Sequence, residues 1–197
     1  MVEAVAVALH SINISKIEPG NATVVIGAGM IGIFVIKLLK ISGASCIIAV
    51  DINEKQLEKA EKAGVDYSFL AGENNLADKI KSVTGNRGAD IAFEAVGENL
   101  SANLAFDAVR KGGKIVLIGN ITPVIEFPLQ KVVTGELKVS GSCAICGEYE
   151  AVLNFMKMGK ISVDDQISKI APLSEGAIWF EKLYKKEENP GKVILVP

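Results

Sequence analysis

Histidine occurs once, at His10, and cysteine only at Cys46, Cys143 and Cys146, in a chain of 197 residues. So few cysteines, odd in number, build no disulfide framework, and a reducing cytoplasmic setting is the expectation. Cys143 and Cys146 form a CxxC pair, but no second pair or histidine cluster completes a zinc site, and no strand-helix-strand redox setting surrounds them. No metal ligand is therefore expected, and His10, among Ala8, Leu9 and Ile12, reads as a packed helix residue. Long apolar runs are also missing. The longest, Val24 to Ile36, has 13 residues including Gly27, Gly29 and Gly32, and Lys37 follows it; a bilayer span needs about 20. Charge of one sign is scarce, with 21 basic against 23 acidic residues, and the one dense run, Lys185 to Glu188, pairs opposite signs. Nothing in this balance draws the chain to nucleic acid or an anionic membrane. The opening MVEAVAVALH has an acid where a secretory signal would have basic residues, so none is expected. Internal repeats and low-complexity tracts are absent.

Apolar residues are plentiful: 49% of the chain is hydrophobic and the mean hydropathy is +0.34. A parallel sheet covered on both faces explains such a composition, because its strands read as continuous apolar runs. The expected strands are Val24 to Ile26, Ile47 to Val50, Tyr67 to Leu70, Ile91 to Glu94 and Lys114 to Ile118. Helical spacing predicts Met30 to Ser42, Glu54 to Ala63, Leu76 to Thr84 and Ser101 to Lys111, stopped by Gly43, Gly64, Gly85 and Gly112. Alternation at this pace means strand-helix-strand units and a doubly wound α/β sheet. A helix from Val2 to Ile14 precedes it. Thr122, Pro123 and Pro128 break the pattern, after which an edge strand, Leu137 to Ser140, and a helix, Glu148 to Met158, are expected. Lys169 to Ala171, a helix over Ser174 to Lys186 and a strand over Lys192 to Val196 follow.

The stretch TVVIGAGMIG carries the chemistry. Gly27 permits a tight turn out of the first strand, Gly29 lets backbone approach a pyrophosphate, and Gly32 lets helix and strand pack closely. Phosphates then meet free N–H groups of Met30, Ile31 and neighbours at the helix start, where the dipole favours an anion. Asp51 ends the next strand at the spacing of a ribose-binding acid. A 2′-phosphate there would meet like charge at a cost of several kcal/mol, so NAD is favoured over NADP; Lys55 softens that preference. Two further strand ends should face the same crevice: Glu94, Ala95, Val96 and Gly97, and then Gly119 and Asn120. Their small residues leave room for a flat nicotinamide.

Taken together, VEAVAVALHSI, VVIGAGMIG, IIAVDIN, KAGVDY, GNRGADIAFEAVG, RKGGKIVLIGN, GELKVSGS and NPGKVILVP resemble the cofactor-binding half of the medium-chain, zinc-type alcohol and polyol dehydrogenases, in order and over nearly the whole chain. The resemblance implies a Rossmann domain over residues 15–147. It also implies a linking helix over 1–14 and a C-terminal extension over 148–197 that belong partly to a GroES-like catalytic domain not contained in this chain. The family's zinc is held in that other half, so zinc is expected only in an intact enzyme. Residues matching cofactor contacts are Ile31, Asp51, Ile52, Gln56, Ile118, Gly119 and Asn120, and Ser142, Cys143 and Ala144 match the segment passing the nicotinamide. Ala144 and Gln56 stand where many sorbitol dehydrogenases have Arg, which weakens a sorbitol assignment and leaves butanediol and other secondary alcohols equally open. Glu3 fits a glutamate near the family's zinc, or else is a solvated acid opening a helix.

The expected function is therefore the NAD-binding portion of a dehydrogenase acting on a small secondary alcohol or polyol, a portion cut deliberately or encoded by a truncated gene, and inactive by itself. The alternatives are a stand-alone NAD-responsive binding module and a remnant that no longer binds nucleotide. Apolar faces left without the catalytic domain, and an edge strand at Leu137 to Ser140, imply a homo-oligomer.

Overall fold

The computed structural model describes residues 1–185 and 192–197. They form two compact units, Met1–Phe155 and Met156–Pro197. The first is built on a six-stranded sheet of β1 (Ala22–Ile26), β2 (Cys46–Asp51), β3 (Tyr67–Leu70), β4 (Ala89–Glu94), β5 (Val109–Leu117) and β6 (Lys138–Gly141), in the order β3-β2-β1-β4-β5-β6. All of its pairings are parallel. The strand order reverses between β1 and β4, which opens a crevice outside their carboxyl ends.

Side chains alternate across the sheet. Val24, Ile26, Ile48, Val50, Ala92 and Ile115 join Leu76 and Ile80 of α4 (Leu76–Val83) and Ala105 and Phe106 of α5 (Asn99–Ala108) in one core. Helices α1 (Val2–Ser15), α2 (Met30–Ile41) and α3 (Glu54–Ala63) also pack in this unit, α1 lying along α2. Its buried residues Ala4, Val5, Ala8, Leu9 and Ile12 recur at helical spacing.

Polar anchors hold α1 from outside its own sequence. Lys114 Nζ donates to the carbonyls of Ser15 and Lys16, at 3.0 and 2.8 Å, satisfying orphan acceptors at the helix end. His10 Nδ1 donates to Glu148 Oε1 at 2.8 Å, and Asn13 reaches the same oxygen. Burial works against the charged form of Glu148. The N–H of Cys146, with His10 and Asn13, outweighs it and holds the carboxyl below the usual glutamate range.

Several elements differ from the sequence expectation. Helix α5 stops at Ala108, not Lys111, because Val109 already pairs with Ala89; the register then shifts, and Arg110 to Gly113 bulge out before Ile91 meets Lys114. A helix not expected, α6 (Leu129–Gly135), follows Pro128 and buries none of its residues, so it had no apolar stripe to show. The edge strand is shifted one residue, to Lys138–Gly141. Helix α7 (Tyr149–Lys157) follows.

In the second unit β7 (Ile167–Pro172) pairs in parallel with β8 (Lys192–Val196), and α8 (Gly176–Tyr184) lies between them in sequence. Trp179 of α8 donates its ring N–H to Glu175, and Lys182 and Lys169 stand over its ring. Lys186, expected to end this helix, and the charge run through Glu188 lie outside the described residues. No helix among the described residues is long and apolar enough to cross a membrane.

Asp90, at the head of β4, ties strand to strand: it accepts from the Ala22 N–H at 2.8 Å and from Arg110 Nε. Burial opposes its ionisation, but these bonds and the charges of Arg110 and Arg87 prevail and lower its pKa. A carboxyl whose folded pKa is depressed stabilises fully above its unfolded value and loses that contribution as pH falls through the folded one. Asp90→Asn should therefore lower stability near neutrality by about 1–3 kcal/mol. Urea denaturation should show the gap to the wild type closing in acid; a gap unchanged there would contradict the account.

Candidate functional site

The carboxyl ends of β1, β2, β4, β5 and β6 carry the residues that sequence reading singled out for a dinucleotide, apart from Met30, Ile31 and Gly32, in the first turn of α2, and Gln56, in the first turn of α3. Gly27, leaving β1, has φ 93°, and a Cβ on it would stand 2.6 Å from Val96 Cγ2. Gly32, in the first turn of α2, has no room at all: its Cβ would lie 1.9 Å from the Gly27 carbonyl oxygen. Gly29 caps α2 and differs in kind, since a Cβ there meets nothing within 4 Å. Bare backbone at Gly29, followed by the free N–H groups of Met30 and Ile31, therefore faces open space, as an anion cradle requires.

Asp51 closes this loop. Its Oδ2 accepts the Ala28 N–H at 2.7 Å and its Oδ1 the Asn53 N–H at 2.8 Å, fixing the carboxyl beside the glycine turn. Ile52, 84% exposed, lines an open hollow with Asn53, Glu54, Lys55 and Leu70. An apolar side chain projecting beside a carboxyl and a lysine suits a base and its ribose.

At the next two strand ends the structure gives the glycines a task other than leaving space. Gly97, at φ 89°, lies against the backbone of Gly119, Asn120 and Ile121, and a Cβ on it would come within 2.2 Å of the Asn120 nitrogen. A Cβ on Gly119 would come within 2.1 Å of the Gly97 nitrogen. The smallness of both is consumed in packing one loop on the other. Glu94, buried to 1% exposure at the end of β4, organises the same place: its Oε1 accepts the N–H groups of Val96 and Gly97 at 2.9 and 2.8 Å. Its backbone carbonyl accepts from Ile118 and Gly119. Sequence reading named Glu94 as a crevice residue but missed this role, which an acid ending the apolar run IAF signals.

After β6, the Ser142 N–H donates to the Leu117 carbonyl, while the Ser142 hydroxyl is buried without a hydrogen-bond partner. An orphaned buried hydroxyl at this edge fits a polar ligand group that would complete it. Cys143 and Ala144 follow, both exposed. Glu3 is exposed in the first turn of α1, at the end of that helix opposite the Lys114 anchor. Among the described residues, no group of three or more His, Cys, Asp or Glu side chains is placed to hold a metal ion.

A family model described as zinc-binding dehydrogenase matches residues 31–158. The chain belongs to that family. Among the chain's relatives, sorbitol dehydrogenase from Bacillus subtilis (strain 168) is 25% identical over 199 residues, covering 100% of this chain and 56% of the relative. D-xylulose reductase from Saccharomyces cerevisiae is 28% identical, covering 99% and 56%. The crystal structure of 2R,3R-butanediol dehydrogenase from Bacillus subtilis superposes with a TM-score of 0.90 at 30% identity, over 100% of this chain and 56% of that one. The chain thus spans about half the length of the relatives it matches.

The two kinds of glycine separate experimentally. Gly119→Ala should lower stability by about 1–3 kcal/mol or more, through a backbone clash. Gly29→Ala should cost about 1 kcal/mol or less, as a change of cap residue alone. Urea denaturation of both reads the difference; equal losses would contradict the geometry.

Proposed function

We propose that the chain holds NAD for a zinc-dependent dehydrogenase that moves hydride between NAD and a small secondary alcohol or polyol. The carrying observation is Asp51, whose carboxyl is bonded to the glycine turn at the point where the sheet's strand order reverses. On this reading the Gly29 turn and the first N–H groups of α2 receive the pyrophosphate. Asp51 accepts the ribose hydroxyls, and Ile52 and Gln56 border the adenosine. The loops of Val96 and Gly97 and of Ile118, Gly119 and Asn120, locked together by Glu94, form a rigid floor. Ser142, Cys143 and Ala144 border the nicotinamide, and the Ser142 hydroxyl gains a partner there. NAD when bound supplies the hydride acceptor. Binding and orientation are this chain's share. The polarisation of the alcohol, and the zinc, come from the half of the relatives' length that this chain does not span, so the chain alone turns over no alcohol.

Self-association belongs to the same proposal. Strand β6 is an edge strand of the six-stranded sheet and among the described residues pairs only with β5; beside it in sequence, Leu129 and Val133 of α6 are 65% and 66% exposed. A second copy pairing along this edge would cover both.

Titration followed by nicotinamide fluorescence tests the cofactor reading. NADH should bind saturably, NADPH roughly tenfold or more weakly, as one like-charge contact implies, and Asp51→Ala and Gly29→Ala should each weaken NADH. Binding of neither nucleotide, or indifference to Asp51→Ala, would overturn it. Sedimentation at micromolar concentration should show dimers or larger species, and a monomer throughout would remove the self-association proposal.

A further inference from the structure

The loop after β6 carries two thiols whose sulfur chemistry dinucleotide binding leaves unused. Cys143 and Cys146 are both free and exposed, in the sequence Ser142-Cys143-Ala144-Ile145-Cys146-Gly147. The loop is held at both ends. The Ser142 N–H donates to the Leu117 carbonyl at 2.8 Å, and the Cys146 N–H donates to Glu148 Oε2 at 2.5 Å. Glu148 is in turn fixed to α1 through His10 and Asn13. Between the two cysteines the chain bends, with Ala144 at φ 54°, in the left-handed region that a residue bearing a Cβ rarely adopts.

That bend matters for reach. Fully extended, residues three apart are separated by roughly 10 Å, whereas a disulfide needs Cα atoms within roughly 7 Å. A turn moves the pair in the required direction, and tethers at both ends restrict how far the thiols wander. Cys46 is different: it is half-buried at the start of β2, and burial, together with the charge of Asp66, pushes its thiol pKa up. It offers less thiolate to an oxidant.

We propose that Cys143 and Cys146 are a redox-active dithiol, closed into a reversible disulfide by a small disulfide oxidant such as oxidised glutathione. One cysteine thiolate attacks a glutathione sulfur; a mixed disulfide forms and one glutathione thiolate leaves. The second cysteine then attacks the sulfur of the first, the mixed bond breaks, and the second glutathione thiolate leaves. The chain gives up two electrons and two protons, and the glutathione disulfide becomes two glutathione thiols. Such an exposed pair is labile rather than structural, which suits a reducing compartment. Closure tightens the bend beside Ser142 and Ala144. Resting on the reading that this loop borders the nicotinamide, closure also weakens dinucleotide binding.

The experiment incubates the reduced chain with oxidised glutathione and follows intact mass, free thiols and NADH affinity. Free thiols should fall from three to one without added glutathione mass, and dithiothreitol should restore them. Cys143→Ser and Cys146→Ser should instead each retain a glutathione on the remaining exposed cysteine. Unchanged thiols, or wild-type protein with stable adducts on both cysteines, would overturn the dithiol. NADH affinity should fall roughly fivefold or more on closure, the lower end of ordinary coupling between sites; unchanged affinity would overturn the link to the cofactor. A reduced chain that binds no NADH would defeat the cofactor reading instead, while mass and thiol counts still decide the dithiol.

Discussion

Backbone meets backbone along the carboxyl edge of the sheet, and no side chain fits between. The first turn of α2 lies so close to the Gly27 carbonyl that only Gly32 can occupy it, and the loops after β4 and β5 touch through Gly97 and Gly119. These contacts set the shape of the crevice. They bring the helix start to the strand end, so that its unpaired N–H groups converge on one place, and they make the floor of the crevice from peptide planes. Gly29 then has a distinct part, because its bareness faces outward. A ligand that carries phosphate finds donors already aimed and little backbone left to order on binding.

Carboxyl groups fasten both ends of the sheet. Asp90 joins the amino ends of β4 and β1, Asp51 joins β2 to the glycine turn, and Glu94 joins its own loop while its carbonyl receives the loop after β5. Each accepts N–H groups from loops or strand ends that the ladder leaves unpaired. In a sheet with apolar residues on both faces, acids at the strand ends are the cheapest acceptors that reach sideways between strands. The same economy appears at Glu148, which serves α1 and the loop after β6 at once. The candidate site is thus held by a small set of polar bonds at the rim of a dry core.

Much of this was legible in the sequence because it is local. The glycine spacing, the run into Asp51 and the alternation of apolar runs with helical patterns each need only a few neighbouring residues. What escaped depends on partners far along the chain. The start of β5 at Val109 follows from pairing with Ala89, and nothing in RKGGK shows that the strand begins before the bulge. Helix α6 buries none of its residues, so no hydrophobic period marks it; Pro128 before it and Gly135 at its end were the only signals. Gly97 and Gly119 look like room for a ligand until the two loops are seen against each other. Glu94 was visible as an acid in an apolar strand, but its two donors lie in a turn whose form the sequence did not reveal.

The anchoring of α1 bears on how the molecule assembles. This helix precedes β1 in sequence, yet the ammonium that caps its last carbonyls is 99 residues downstream in Lys114, and the carboxyl that receives His10 is 138 residues away in Glu148. Until β5 has been made, those carbonyls have only water, and until the loop after β6 has been made, the imidazole has only water as well. A short helix without its tertiary contacts is marginal. Helix α1 is therefore made before its partners in this unit and is among the last of its elements to be secured, and the segment that follows β6 completes the fastening of the segment that precedes β1.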